Sequence, residues 1–163
     1  MNNKGKFQKL TNPPILFLIC LLTGLIFHFL MLFILIGIYH LKIKFIFIFM
    51  NILIGVIISG VGGYLAITVI KIMKKNNNSI DITKTVDSLI KEGPFKITRN
   101  PIYLSLILSM LGIAFFLSSI TIAFMTMVLF ILIDIRVIKE EEKLEKKFGK
   151  EYTEYKKKVR RWI

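Results

Sequence analysis

The amino-acid sequence predicts an all-α integral membrane protein: four transmembrane helices with a cytoplasmic amphipathic C-terminal helix, in one domain over residues 1–163. Three observations predict it. Hydrophobic residues are 55% of the chain and the mean hydropathy is +0.67, more apolar surface than a soluble core of this size can absorb. These residues come in blocks, since no Asp, Glu, Lys or Arg occurs within 13–39, 45–70 or 101–133, whereas a bilayer core about 30 Å thick needs only roughly 20 apolar residues per helix. The charge is also one-sided: 21 of the 23 Lys and Arg residues flank the blocks on one face, leaving Lys42 and Lys44 on the other.

The first two blocks give spans at 14–36 and 45–72. The third is too long for one crossing, so it folds as a hairpin turning near Leu117, Ser118 and Ser119, with spans at 101–117 and 119–138. The first block exceeds the roughly 7–15-residue apolar core of a cleaved signal peptide and has no small-residue cleavage site, so it is expected to be retained. Positive residues collect on the cytoplasmic side, which places both termini there. The net charge of +13 is then explained by attraction to anionic lipid headgroups rather than by nucleic acid. Nothing in the sequence fixes an oligomeric state.

Within the second span, Gly55, Ser59 and Gly63 recur every four residues, with Gly60 and Gly62 beside them. Small residues so spaced let helices approach closely, and no strand precedes Gly60-Val61-Gly62 to make it a dinucleotide loop. Cys20 is the one cysteine, which excludes an intrachain disulfide and a cysteine-based metal site. His28 and His40, twelve apart without an acidic partner in their block, are read as packing or interfacial residues, and no metal site is expected.

Chemistry is therefore sought in two cytoplasmic pieces, the loop 74–100 and the helix 139–163, where Leu144, Phe148, Tyr152, Tyr155 and Val159 recur at helical spacing. In the loop, Gly93-Pro94-Phe95-Lys96-Ile97-Thr98-Arg99-Asn100-Pro101-Ile102-Tyr103 ends with Pro101 opening a helix and Asn100 able to cap it. In the second piece, Arg136 and Glu140 are four apart and share a helical face where the helix leaves the membrane, followed by Glu141.

Together, Gly93-Pro94-Phe95, Arg99-Asn100-Pro101-Ile102-Tyr103, Glu140-Glu141-x-x-Leu144-x-x-x-Phe148-Gly149-x-x-Tyr152-x-x-Tyr155 and Val159-Arg160-Arg161-Trp162 resemble the isoprenylcysteine carboxyl methyltransferase and phospholipid methyltransferase group. Pro13-Pro14 fits its small prokaryotic members, a likeness that implies the plasma membrane of a prokaryote. The resemblance implies an S-adenosylmethionine-dependent methyltransferase that takes a lipophilic acceptor from the bilayer, with carboxyl methylation of an isoprenylcysteine-like substrate as the leading expectation. Phospholipid N-methylation, or a non-catalytic protein retaining the fold, stands as the alternative. By position, the resemblance assigns Phe95, Lys96, Ile97, Thr98, Arg99, Asn100, Tyr103, Leu108, Ser109, Met110, Leu111, Glu140 and Glu141 to the cofactor, and Arg136 and Glu140 to catalysis. Asn100 stands where eukaryotic carboxyl methyltransferases have His, and Lys158 where many members have Arg.

Overall fold

A computed structural model of the protein describes residues 12–36, 45–76 and 88–163. The N-terminal lysines, His40, Lys42, Lys44 and residues 77–87 of the first loop lie outside these residues. The described chain is helical: α1 (Pro13–Ile36), α2 (Phe45–Lys75), a 3₁₀ turn (Gly93–Lys96), α3 (Pro101–Phe116), α4 (Ile120–Phe148) and α5 (Lys150–Lys158). Among these residues the extended backbone amounts to one isolated parallel bridge between Thr98 and Arg160.

The helices α1, α2 and α4 are long and apolar enough to cross a membrane, whereas α3 is apolar but has 16 residues. At 1.5 Å per residue α3 reaches about 24 Å, short of a hydrocarbon core about 30 Å thick. Length and composition thus support three spans, and the fourth expected at 101–117 is a shorter helix. Its partner in the hairpin begins where expected. Ser118 takes a left-handed conformation (φ 49°), and the hydroxyl of Ser119 accepts from the Ile122 amide at 3.2 Å, capping α4.

The expected helix at 139–163 differs in form. The α4 helix does not stop at 138 but runs on to Phe148, because the Glu- and Lys-rich run is made of good helix formers with no Gly or Pro before Gly149. Gly149, at φ +53°, breaks the helix where an L side chain would be strained. The nine-residue α5 follows, and residues 159–163 leave helical geometry.

Small residues fit α2 against α3. A Cβ on Gly112 would fall 2.8 Å from the Gly55 carbonyl oxygen and against Ser59, and one on Gly62 would meet the Ser109 amide at 2.8 Å. The seam therefore uses Gly55, Ser59 and Gly62. Gly60 and Gly63 have nothing within 4 Å, so the four-residue pattern expected through Gly63 turns away one step early. On the other side, α1 packs on α4 and α3 around Cys20, Met110, Ala114, Ile122 and Leu129, and this apolar core continues along α4 through Ile133 and Val137 to Tyr103 of α3. His28 lies edge-on to Phe29, 5.7 Å between ring centroids.

Replacing Gly112 with Ala is expected to lower the melting temperature in detergent, by an overpacking cost of about 1–3 kcal/mol. Gly60→Ala should leave it unchanged or raise it, since Ala is favoured over Gly in a helix by about 1 kcal/mol. Equal effects of the two substitutions would refute the α2–α3 seam.

Candidate functional site

The loop before α3 is seated on α2. Gly93 has φ +57°, a conformation that favours glycine, and a Cβ there would lie 2.5 Å from the terminal methyl of Ile72, which would have to turn aside. Glu92, just before it, is held by Asn76, whose Nδ2 donates to its carboxylate at 2.9 Å. The carbonyl of Phe95 accepts from the hydroxyl of Tyr155 at 2.6 Å, tying the loop to α5. Burial pushes the Tyr155 phenol up to about 12, with Arg99 opposing the shift. Burial, followed by the Glu141 charge, also raises the Tyr152 phenol above its ordinary value.

The residues after α5 lie along the loop like a strap. The amide of Arg99 donates to the Arg160 carbonyl at 3.1 Å. The Arg161 carbonyl accepts from the Thr98 hydroxyl at 2.9 Å and from Asn100 Nδ2 at 3.2 Å. Asn100 thus occupies the N-cap position of α3, but its side chain makes no cap bond. It holds the strap instead.

Beneath the strap lies Glu141, with 5% of its side chain exposed. Arg99 Nη2 approaches its Oε1 at 2.9 Å, and Arg161 Nη2 its Oε2 at 3.0 Å. Two cations around one buried carboxylate provide the charge compensation that burial demands. The second anchor is Asp134, two turns earlier on α4. Its Oδ1 accepts from the Trp162 indole at 3.0 Å and lies 3.5 Å from Arg161 Nη1, while Trp162 packs on Phe130 at 5.3 Å between centroids.

The neighbouring face of α4 carries a second cluster. Arg136 Nε donates to Glu140 Oε1 at 2.8 Å, and the Tyr103 hydroxyl of α3 lies 2.7 Å from Glu140 Oε2. Glu140 keeps 26% of its side chain exposed and Arg136 17%. The expected pairing along the helix is present, with a phenol from α3 added to it.

Of the residues assigned from sequence, Phe95, Thr98, Arg99, Asn100, Tyr103, Arg136, Glu140 and Glu141 are drawn together where the loop, α3 and α4 meet. Lys96 and Ile97 project outward from the turn. Ser109 faces α2, bonded to the Ser105 carbonyl at 2.8 Å, and Met110 is fully buried in the apolar core. Leu108 and Leu111 are half-buried on the same helix, so this quartet lies one to two turns deeper than Tyr103. Sequence reasoning gave no site role to Asp134, Arg161 or Trp162, and placed Tyr152 and Tyr155 on the aromatic face of the C-terminal helix, able to rest on the membrane interface or on the loop; Tyr155 does bond the loop at Phe95. One signal was readable, because Asp134 is the first charge to interrupt the third apolar block, and ionisable residues in such runs seldom lack a partner.

Three buried polar atoms in this region, Arg99 Nε, Glu141 Oε1 and the Tyr152 hydroxyl, have no hydrogen-bond partner among the described residues, although Arg99 Nη2 lies within ion-pair distance of that carboxylate oxygen. Buried donors left so are costly, and donors flanking a carboxylate suit a ligand rich in hydroxyl, amino and carboxylate groups. Among the described residues, no cluster of His, Cys, Asp and Glu could hold a metal ion.

Residues 50–151 match the model of the phospholipid methyltransferase family, a stretch that runs from α2 to the start of α5 and takes in Tyr103, Arg136, Glu140 and Glu141. An uncharacterised protein of Haemophilus influenzae is 43% identical over 63 residues, covering 37% of this chain and 98% of that protein. No solved structure matches.

Glu141→Gln should destabilise the protein by about 3–5 kcal/mol, as expected when one partner of a buried ion pair is removed. Glu145→Gln, which breaks a half-exposed pair with Lys156, should cost about 0–1 kcal/mol. Trp162 is the one tryptophan, so its fluorescence reports the strap: a red shift in the Glu141 variant with unchanged helix content by circular dichroism is the expected outcome.

Proposed function

The chain belongs to the phospholipid methyltransferase family, and on that premise we propose that it is an S-adenosylmethionine-dependent methyltransferase whose acceptor is a lipid at the cytoplasmic membrane face. The observation that carries this reading is the pair of carboxylates on one turn of α4, the buried Glu141 and the accessible Glu140, facing the start of α3. The reading includes cytoplasmic termini, a prokaryotic plasma membrane and α3 as a short fourth crossing, in keeping with the one-sided distribution of Lys and Arg.

When bound, the cofactor supplies an electrophilic methyl group on a sulfonium. The protein's task is to bind, orient and keep water out. Glu140, its carboxylate fixed by Tyr103 and Arg136, accepts hydrogen bonds from cofactor donor groups. Arg99 Nε and the Tyr152 hydroxyl donate to its oxygens. The strap and α5 close over this region from the aqueous side, while the apolar faces of α1, α2 and α4 leave the acceptor free to approach from the bilayer.

For a carboxylate acceptor, such as that of an isoprenylcysteine, no base is needed, because the nucleophile is already ionised near neutral pH. Alignment then supplies the acceleration. Arg136, its guanidinium plane set by Glu140, holds the two acceptor oxygens by charge-assisted bonds. The family description favours a second reading, a phospholipid amine. A proton must then leave the nitrogen, and Glu140 is the base within reach, because Glu141 is enclosed by Arg99 and Arg161.

Cells with and without the protein, fed a methyl-labelled donor, should differ in one labelled lipid class, and its chemistry decides between ester and methylamine. Absence of any labelled lipid would favour a non-catalytic protein. In detergent, Glu140→Gln should weaken cofactor binding about 10- to 100-fold by calorimetry, the scale of a lost bond to a charged group, while Arg136→Lys weakens it far less. The same Arg136→Lys change should lower turnover on the identified lipid about 100-fold, since Lys keeps the charge but loses the planar fork. Near-wild-type turnover would reduce Arg136 to an ion pair worth about 0.5 kcal/mol.

A further inference from the structure

Where the loop meets α5, Lys91, Lys96, Glu154, Tyr155, Lys158 and Val159 line a cleft of about 300 Å³ that shares no residue with the Glu140 cluster. Its cations come from two segments about sixty residues apart, Lys96 at the end of the 3₁₀ turn and Lys158 at the end of α5. Neighbouring lysines are matched to carboxylates: Lys91 to Glu151 at 2.8 Å, Lys156 to Glu145 at 3.2 Å, Lys75 to Glu92 at 3.9 Å. Lys96 and Lys158 have no such partner among the described residues, although Glu154 lines the same cleft. Among the described residues, these two ammonium groups without an ion-pair partner line one cleft and together form a site for one anion.

The surroundings say which anion. The parallel bridge between Thr98 and Arg160 sets the residues before them, Ile97 and Val159, side by side at the edge of the cleft. Ile97 is 66% exposed, an arrangement costly in water and favourable at a membrane surface, where an apolar side chain meets acyl chains while adjacent lysines meet phosphates. The height is right for this, because the turn rests on Ile72 in the last turns of α2, next to Lys71, Lys74 and Lys75, where apolar helix gives way to charge. Glu154 offers an acceptor in the same cleft. It repels a second phosphate and suits the hydroxyls of a polyol headgroup.

We propose that this cleft binds the headgroup of an anionic phospholipid, its phosphate between Lys96 and Lys158, its hydroxyls toward Glu154 and its chains alongside Ile97. Such binding couples the loop to α5 from outside, without participating in methyl transfer, so it stands or falls independently of the acceptor.

The test uses the full-length protein in neutral detergent with short-chain phosphatidylglycerol, short-chain phosphatidylcholine or inorganic phosphate added, reading the melting temperature and the lipid retained by native mass spectrometry. Phosphatidylglycerol is expected to raise the melting temperature and to be retained at one per protein, whereas phosphatidylcholine and inorganic phosphate do neither. In Lys96→Gln/Lys158→Gln both effects should be lost. In Lys143→Gln/Lys146→Gln, which removes the same charge from exposed positions on α4, both should persist. An equal shift with inorganic phosphate would assign the cleft to a soluble anion and overturn the proposal. So would equal loss in the two double variants, which would mean diffuse attraction, or equal retention of phosphatidylcholine.

Discussion

A single buried carboxylate, Glu141, organises the part of the molecule beyond the spanning helices. Its cost of burial is offset only if Arg99 from the loop and Arg161 from the strap both arrive. Each arginine brings its own segment into position, and the two segments are then fixed by bonds to the strap's carbonyls: the Arg99 amide to that of Arg160, the Thr98 and Asn100 side chains to that of Arg161. Glu140, one residue earlier, is thereby set on a helix whose rotation is already determined. Its contacts with Tyr103 and Arg136 follow from that rotation. The accessible carboxylate can serve a ligand because the inaccessible one serves the fold.

That division of labour also explains the tight seam between α2 and α3. The loop has to reach from the end of α2 to the start of α3 while presenting Arg99 to α4. Close approach at Gly55, Gly62 and Gly112 fixes the spacing of the two helices the loop joins, and Asn51 adds a hydrogen bond to Ser118 at the opposite end of the pair, at 3.1 Å. With α3 held at both ends, Tyr103 meets Glu140 without adjustment.

The features legible in the sequence were those set by nearby residues. Uninterrupted apolar runs announced the helices, Ser118-Ser119 announced the turn, and the four-residue interval between Arg136 and Glu140 announced their pairing. Features set by distant residues were not legible. Whether Gly62 or Gly63 faces α3 depends on a helix rotation of about 100° per residue, decided by packing with Ser105 and Ser109 rather than by any local pattern. The continuity of α4 past 138 was hidden because the loss of hydrophobicity there looks like a boundary, although a helix can pass from one solvent to another unbroken. The contacts of Asp134 with Trp162 and of Glu141 with Arg161 join residues 28 and 20 positions apart, and no periodicity encodes them. The resemblance pointed to a stretch of chain that folds together around Glu140 and Glu141, but it could not say that Asn100 would bind the strap rather than cap α3.

The strap has one more implication, for how the protein is made. Arg161 and Trp162 are translated after every residue they bind, and some twenty residues after Glu141. While the ribosome still holds them, the spanning helices can already be inserted, with Glu141 paired to Arg99 alone and Asp134 without the indole. The nascent chain therefore has a half-neutralised acidic cluster at the membrane surface until the strap emerges and folds back at Gly149. A variant that stops before Arg161 would be stuck in that state, inserted yet marked by unpaired buried charge for membrane quality-control proteases.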